Sequence, residues 1–435
     1  MRFTRPVSRE IGGIPVLPLP RPASVHYRQY RSWGESLDVG GQVNLTSFLM
    51  ELQSRVTAIR RDIHAHPELA YAEHRTSQLV ASRLRELGIE THVGLARTGV
   101  VGRLRAGSSV RSIGLRADMD ALPIEEGNTF AHRSQFPGRM HACGHDGHVA
   151  TLLGTAEALV LLREQGRFDG TVNLIFQPAE EHEGGGQLMV EEGLFTRFPM
   201  DMVFGMHNWP GLPAGTVAIA EGPVMAGADR FDITIEGHGG HAAMPHLASD
   251  TVLAGAALVQ ALQALVSRDT DPLAAAVVSV TRFHAGDADN VLPGRATLGG
   301  TVRTFDAGIQ GAIEAGMRRI CDAVALAHDV RISFDFHRGY PPTINAPQAS
   351  ALCRRAAADA LGADRLLTNL KPSMGAEDFS YLASVVPGCY AWIGNGPGEG
   401  GCMLHSAHYD FNDEIIPSAI RYWLKLVETA LPPAG

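Results

Sequence analysis

Apolar residues recur at regular spacing from about residue 45 onward and predict helices that alternate with strands. The first helix is indicated by apolar residues at helical spacing: Leu45, Leu49, Leu52, Val56, Ile59 and Ile63. Further helices are predicted at 76–87, 148–162 and 187–193, and strands at 100–104, 112–115, 171–176 and 202–206. This alternation favours an α/β fold, a sandwich with a largely parallel sheet.

The pattern changes near Gly227, where a compact second unit is predicted. Its first strand alternates strictly, with Phe231, Ile233 and Ile235 on one face. The unit has the order strand, helix, strand, strand, helix, strand, at 230–236, 250–266, 275–282, 295–303, 309–327 and 330–336. That order is typical of a split βαβ layer. After 338 the α/β pattern resumes through a helix at 418–430, so an α+β domain at 227–338 is predicted to be inserted between catalytic segments 45–226 and 339–435.

Residues 1–44 differ from the rest of the chain. They contain five prolines within 6–22 and show no apolar periodicity. We interpret them as an extension that adds little to the core, or as upstream sequence translated from an early start codon, with Met50 as the true start. They lack a continuous apolar segment, so no signal peptide is predicted.

Composition narrows the possible partners. The formal net charge is −9, which disfavours nucleic acid and anionic membrane surfaces. Five scattered cysteines do not suggest a disulfide framework and fit a reducing compartment. No stretch approaches the roughly 20 apolar residues that span a bilayer. We therefore expect a cytoplasmic protein that acts on a small molecule.

The segment 141–148, with the sequence HACGHDGH, offers one thiolate and three imidazoles. Gly144 allows a tight turn, so Cys143 and His145 can face one metal ion. Soft thiolate and borderline imidazole suit Zn, Mn, Co or Ni. The alternative is a polar loop in which Asp146 caps the following helix.

Three more segments carry candidate ligands at the ends of predicted elements. Glu180 and Glu181 follow a buried strand, and one could bind a metal while the other acts as general base; a solvated acidic loop is the alternative. His207 ends an apolar strand and could equally be a core histidine. His405 and His408 compete as the last ligand. Four such segments in one chain predict a single metal site, because strand ends cluster at one edge of an α/β sheet.

These segments together resemble the hippurate hydrolase and indoleacetyl-amino-acid hydrolase branch of the metallo-aminoacylases, related to glutamate carboxypeptidase and succinyl-diaminopimelate desuccinylase. The matching motifs run in order over residues 50–430: RDIHAHPEL (61–69), LRADMDALPI (115–124), MHACGHDGH (140–148), QPAEE (177–181), GGHAAMPH (239–246), MGAEDF (374–379) and LH (404–405). Nothing in residues 1–44 matches this family.

The resemblance implies a centre of two divalent metal ions. Cys143 is expected to bridge both, with His145 and His207 completing one metal and Glu181 and His405 the other. Glu180 is expected to be the general base for a metal-activated water. The implied reaction is hydrolysis of an N-acyl amino acid to a carboxylic acid and a free amino acid, with the acyl group and the metal left open.

The resemblance also assigns the inserted domain as a lid and dimerisation domain, which implies a homodimer or tetramer. His241, Asn290 and Arg303 are expected to bind substrate, and His241 can reach the partner's active site in the dimer. Arg116 stands where wider relatives carry a ligand histidine, which leaves Asp118 as an outer-shell residue behind the ligands. His64 and His66 are interpreted as a packed helix end stopped by Pro67.

Two other classes of function remain open at this stage. A cysteine hydrolase would use Cys143 as nucleophile with a nearby histidine as base, but it leaves Glu181, His207 and His405 without a role. A non-catalytic binding protein would keep the site without the chemistry, and the presence of Glu180 argues against it.

Overall fold

A computed structural model describes residues 45–181, 183–397 and 402–433; the predicted extension 1–44 lies outside them. The α-helices of the described residues are α1 Leu45–Ala65, α2 His74–Glu86, α3 His145–Glu164, α4 Gly185–Glu191, α5 Leu194–Arg197, α6 Thr251–Ala264, α7 Ala307–His328, α8 Pro347–Leu361, α9 Phe379–Ala383 and α10 Ile416–Ala430. The strands are β1 Glu90–Leu95, β2 Gly99–Ala106, β3 Ser112–Asp118, β4 Gly170–Gln177, β5 Met202–Pro210, β6 Val217–Ala218, β7 Gly222–Met225, β8 Gly227–Glu236, β9 Gly240–His241, β10 Ala276–Ala285, β11 Val291–Leu292, β12 Arg295–Thr304, β13 Arg331–Tyr340, β14 Thr343–Asn345, β15 Leu366–Leu367 and β16 Gly388–Gly396.

The predicted α/β fold is confirmed, with a large sheet that is mixed rather than largely parallel. Its order is β1-β2-β4-β3-β5-β16-β6-β15. The central strands β4, β3, β5 and β16 are parallel to one another. β1, β2 and β4 pair antiparallel, as do β16 and β6. β1 and β2 form a hairpin through Ala96 and Arg97, and a tight hairpin can join only antiparallel strands.

Helices cover both faces of the central parallel strands. Every residue of β3, β4 and β16 is buried, as expected of strands covered on both sides. α3 packs against β3, β4 and β5 and is covered in turn by α10, while α9 packs on β5 and β16. The carboxyl ends of β3, β4 and β5 therefore meet at one edge of the sheet, where the predicted site residues follow them.

The second sheet has four strands in the order β10-β12-β8-β13, all antiparallel, with α6 and α7 against it. Phe231, Ile233 and Ile235 face its core, which explains their alternation with polar residues. The sheet spans 227–340 and has its own core. The chain from Glu51 onward is one compact unit, so an inserted domain at 227–338 remains a proposal that rests on this separate sheet.

One helix among the described residues is long and apolar enough to cross a membrane by length and composition: α6 with the turn after it, Thr251–Asp269. Leu258 and Leu262 of this helix are buried in the core of the second sheet. The core helix of a water-soluble protein passes the same test, so this helix is weak evidence for a membrane span.

Candidate metal centre

Cys143 and His145 stand on either side of a glycine turn at the start of α3. Gly144 has a left-handed backbone with φ of 92°, and a Cβ there would lie 2.3 Å from Asn208 Oδ1. Only glycine meets both demands without strain. α3 begins at His145, three residues earlier than the apolar pattern predicts, so the imidazole is fixed by the first turn of the helix.

Cys143, His145 and His207 bring their ligand atoms within 4.8 Å of one another, and all three are buried. Cys143 Sγ lies 3.3 Å from His207 Nε2. His207 Nδ1 donates to the Asn208 carbonyl at 2.7 Å, and His145 Nδ1 donates to the Asp120 carbonyl at 2.8 Å. Because a carbonyl only accepts, Nδ1 carries a proton in both rings, so each imidazole in its neutral form has its lone pair on Nε2, the arrangement of metal-binding histidines.

A second group shares the same cysteine: Cys143, Glu181 and His405 also place their ligand atoms within 4.8 Å. Glu181 Oε1 lies 3.1 Å from His405 Nε2 but is buried without a hydrogen-bond partner, as is His145 Nε2. Buried polar atoms without partners are costly unless a ligand satisfies them. Glu181 Oε1 and His145 Nε2 are therefore suited to bind metal cations.

Of the two candidate histidines in the last segment, His405 lies at the metal site and His408 does not. His405 has a left-handed φ of 65° and is held by its own N–H, which donates to the Ala142 carbonyl at 2.8 Å. His408 is exposed and lies against Gly127, outside every potential metal-binding group among the described residues.

The charge environment of Cys143 also fits cations. Burial, together with the charges of Glu181 and Glu180, raises the pKa of the thiol well above its usual range. A thiolate ligand here needs positive charge beside it, which a divalent metal supplies. The two groups that share Cys143 support two divalent metals in this chain.

Glu180 is buried rather than part of a solvated acidic loop. The Asp120 carboxylate accepts the backbone N–H of Glu180 at 3.0 Å and that of Glu181 at 2.9 Å, which fixes both residues after β4. Burial, and the charges of Glu377 and Glu181, raise the pKa of Glu180 well above its usual range. A carboxylate with raised proton affinity is suited to general-base chemistry.

Arg116 holds together the buried acidic residues beneath this site, a role that the sequence did not reveal. Its buried guanidinium donates to Asp118 at 2.6 Å and, at 2.9 Å each, to Gln177, Glu377 and Asp378. An arginine between Leu115 and Ala117 in the buried strand β3 was the available signal, since unpaired buried arginines are rare. Glu377 and Asp378 lie in the motif 374–379, which the resemblance matches without giving it a role.

Asp118 stands behind the candidate ligands. Its carboxylate pairs with His148 Nδ1 at 2.6 Å and lies 3.8 Å from His145 Nε2. His148 Nε2 in turn lies 2.7 Å from Asn208 Oδ1. Burial alone would raise the pKa of Asp118, but His145 and Arg116 hold it well below its usual range. Asp118, His145 and His148 also place ligand atoms within 4.8 Å of one another, so the outer-shell position of Asp118 stays a prediction.

His64 belongs to a buried charge network in addition to packing at a helix end. Its Nδ1 lies 2.8 Å from Asp146 Oδ2, and Arg60 lies 3.5 Å from the same oxygen. Asp146 makes no capping hydrogen bond to α3, so the alternative in which it caps this helix is wrong. His66 lies at the end of α1 as interpreted, with Nδ1 2.7 Å from the Asp62 carbonyl.

The three predicted substrate residues lie on the second sheet and its connections. His241, in β9, is exposed and pairs with Val291, while the Asn290 carbonyl accepts from Ala242 N at 3.0 Å. These two residues are therefore neighbours. Arg303 lies near the opposite end of β12, about 26 Å beyond Arg295 at the rise of an extended strand. The structure thus brings His241 and Asn290 together and separates them from Arg303.

Comparison with protein families gives one match: residues 114–429 match the model of peptidase family M20/M25/M40. The chain is 39% identical to a hippurate hydrolase of Campylobacter jejuni, over 88% of this chain and 98% of that one. It is 46% identical to an N-acyl-L-amino acid amidohydrolase of Geobacillus stearothermophilus, over 68% and 79%. An N-acetylcysteine deacetylase of Bacillus subtilis is 37% identical, over 87% and 97%.

Solved structures of similar proteins agree with these sequence matches. A putative aminohydrolase from methicillin-resistant Staphylococcus aureus superposes with a TM-score of 0.83 at 28% identity, covering 89% of this chain and 99% of that one. The Bacillus subtilis YXEP protein, described as a dinuclear metal-binding peptidase of family M20, gives 0.75 at 33% identity, covering 88% and 100%. On these matches, the chain belongs to peptidase family M20/M25/M40.

Proposed function

We propose that this protein is a metal-dependent amidohydrolase that cleaves the amide bond of N-acyl amino acids, releasing a carboxylic acid and a free amino acid. The observation that carries the proposal is the pair of ligand groups sharing Cys143 beside the buried carboxylate of Glu180. Relatives named for hydrolysis of hippurate, N-acyl-L-amino acids and N-acetylcysteine support the same reaction class.

Five side chains would hold the metals: Cys143 in common, His145 and His207 on one side, and Glu181 and His405 on the other. When bound, two divalent cations polarise the amide carbonyl and lower the pKa of a water molecule in the site. The mixture of sulfur, nitrogen and oxygen donors suits Zn, Mn, Co or Ni.

Glu180 provides the proton transfers. Its carboxylate accepts the proton of the attacking water and then delivers it to the leaving amide nitrogen. Asp120 keeps the backbone in place by accepting one hydrogen bond from the N–H of Glu180 and one from that of Glu181, so the carboxylate need not reorganise during the reaction.

We propose that the second sheet is the lid and dimerisation surface, and that His241 and Asn290 serve the partner's site in a homodimer. Arg303 lies at the end of the sheet where the chain crosses to the large sheet, with Thr304 paired to Gly227. His241 and Asn290 lie at the far end of the sheet, and His241 is exposed there. The edge strand β10 carries an exposed Phe283, and α6 exposes Leu253, as a dimer surface would.

A cysteine hydrolase is the competing class. His207 Nε2 lies 3.3 Å from Cys143 Sγ and could act as its base. A nucleophilic thiol needs a lowered pKa, however, and that of Cys143 is raised. This class also leaves Glu181 and His405 without a role, and a non-catalytic homologue leaves Glu180 without one.

Free cysteines throughout the chain fit the proposed cytoplasmic location.

The test is a hydrolysis panel on protein reconstituted in turn with Mn, Zn, Co and Ni. Substrates are benzoyl, acetyl and indoleacetyl amides of several amino acids, which also resolves the open acyl group. We expect turnover that is lost on exhaustive chelation and returns with metal. Turnover that survives chelation but not thiol alkylation would establish the cysteine class instead. No turnover by any metal form would support a binding homologue.

A further inference from the structure

Tyr340, the last residue of β13, reaches from the second sheet to the loop that carries the general base. Its hydroxyl donates to the Glu180 carbonyl at 2.7 Å and accepts from the Gly184 N–H at 3.1 Å. One phenol group therefore holds both ends of the segment that bears Glu180 and Glu181.

Side chains of the catalytic segment that precedes the second sheet also anchor this loop, among them Tyr71, whose hydroxyl donates to the Glu183 carbonyl at 3.0 Å. Glu73 accepts the N–H of Ala179 at 2.9 Å, and Asp120 accepts those of Glu180 and Glu181. Ala179 is left-handed, with φ of 55°, a conformation that a residue with a side chain holds only when its surroundings enforce it. The loop is thus a strained turn, and Tyr340 fixes the carbonyl of Glu180 within it.

The second sheet determines where Tyr340 points. The register of β13 against β8 shifts between His337 and Tyr340, and such a bulge re-aims the side chains that follow. Within the bulge, Gly339 N donates to Asp229 Oδ1 at 3.1 Å, and Asp229 Oδ2 accepts from Gln310 of α7 at 2.7 Å. A Cβ on Gly339 would lie 2.1 Å from the Ala228 carbonyl, so only glycine fits. These contacts with β8 and α7 therefore fix the orientation of the Tyr340 side chain.

We propose that Tyr340 is a positioning residue that couples the second sheet to the Glu180 carboxylate. It touches no candidate metal ligand side chain in the described contacts, and it acts through the backbone of the base. The inference rests on the proposed role of Glu180, but the anchoring itself is testable in metal-free protein.

The variant Tyr340→Phe removes the hydroxyl and keeps the ring, which packs edge-on against Tyr381 with centroids 5.9 Å apart. The Glu180 carbonyl and the Gly184 amide lose their partner, and the carboxylate loses its fixed position. We expect kcat to fall between about tenfold and a hundredfold, the range for a misplaced catalytic group. KM and metal content should stay at wild-type values.

Tyr381→Phe is the matched control. The Tyr381 hydroxyl donates to the Gly339 carbonyl at 3.1 Å, so its loss also removes one phenol hydrogen bond at the same connection. It makes no described hydrogen bond to the loop that bears Glu180. We expect its kcat to remain within about twofold of wild type.

Hydrogen exchange of metal-free protein over residues 180–186 gives a readout that does not depend on activity. The Gly184 amide should exchange faster in Tyr340→Phe than in wild type or Tyr381→Phe. That result supports the anchoring even if the wild-type enzyme hydrolyses no amide, in which case the proposed function fails alone. Unchanged exchange, a kcat within twofold of wild type, or a kcat loss that follows loss of metal would each overturn the proposal.

Discussion

Arg116→Met is predicted to destabilise the metal-free protein strongly. The substitution keeps a chain of similar volume in β3 and removes the guanidinium that pairs with Asp118, Glu377 and Asp378. All three carboxylates are buried, so water cannot take over from the lost cation.

The magnitude follows from these contacts. The guanidinium makes three hydrogen bonds to carboxylates, of 2.6 to 2.9 Å, each with a net worth of roughly 1.5–3 kcal/mol. Simple addition overestimates the loss, because the three carboxylates lie close together and burial raises the pKa of Asp378 even beside Arg116. Breaking a buried pair costs about 3–5 kcal/mol, and we expect a loss in that range.

Urea unfolding of the metal-free variant at pH 7 measures this loss as a shift of the midpoint at constant slope. Arg319→Met is the matched control, since Arg319 pairs with Asp269 at 3.2 Å on an exposed helix face and should contribute below about 1 kcal/mol. The folded-state pKa of Asp118 is lowered, so its contribution is lost as pH falls through that pKa, and the difference between wild type and Arg116→Met should shrink in acid. Equal losses in the two variants would refute the reasoning.

Three further predictions concern other parts of the molecule. Burial lowers the pKa of His64, but the charge and hydrogen bond of Asp146 outweigh burial and raise this pKa to about 9. The stability lost in His64→Gln should thus be greatest below pH 6.5, at most about 3 kcal/mol, and should vanish as pH rises through 9. A loss independent of pH would contradict this prediction. Mixing His241→Ala with Glu180→Gln subunits should restore activity, because one site of the mixed dimer then has neither defect; no recovery after verified exchange would place His241 in its own chain's site or outside catalysis. Deleting residues 1–44 should leave activity and melting temperature nearly unchanged, since their sequence lacks apolar periodicity, and a large drop in melting temperature would show that they stabilise the body.

Apolar periodicity was sufficient for the long elements. The strand predicted at 230–236 lies within β8, and the helix predicted at 309–327 lies within α7, because in both the buried face repeats at the expected period. The mixed character of the large sheet was missed because strand direction depends on pairing. β16 was not assigned, although all of it is buried, because its glycines and Asn395 interrupt the apolar pattern.

In the candidate site too, the sequence indicated the contacts between residues that are close in the chain and missed those between distant ones. Cys143 and His145 are close in sequence, so local spacing was enough to suggest a shared metal. Arg116 and Glu377 are 261 positions apart, and only the fold brings their charges together. The contact of Tyr340 with the Glu180 backbone was equally invisible, since a β-bulge re-aims the phenol in a way that no periodicity reports.

Glu180 and Glu181 offer the most direct test of the central account, because they are neighbours with different proposed roles. Glu180→Gln and Glu181→Gln, each the isosteric control for the other, are compared for metal content and turnover after identical reconstitution. The account predicts that Glu180→Gln keeps two metals per chain and loses about a hundredfold or more in turnover, while Glu181→Gln loses metal. Retention of both metals in Glu181→Gln, with loss of one in Glu180→Gln, would contradict it.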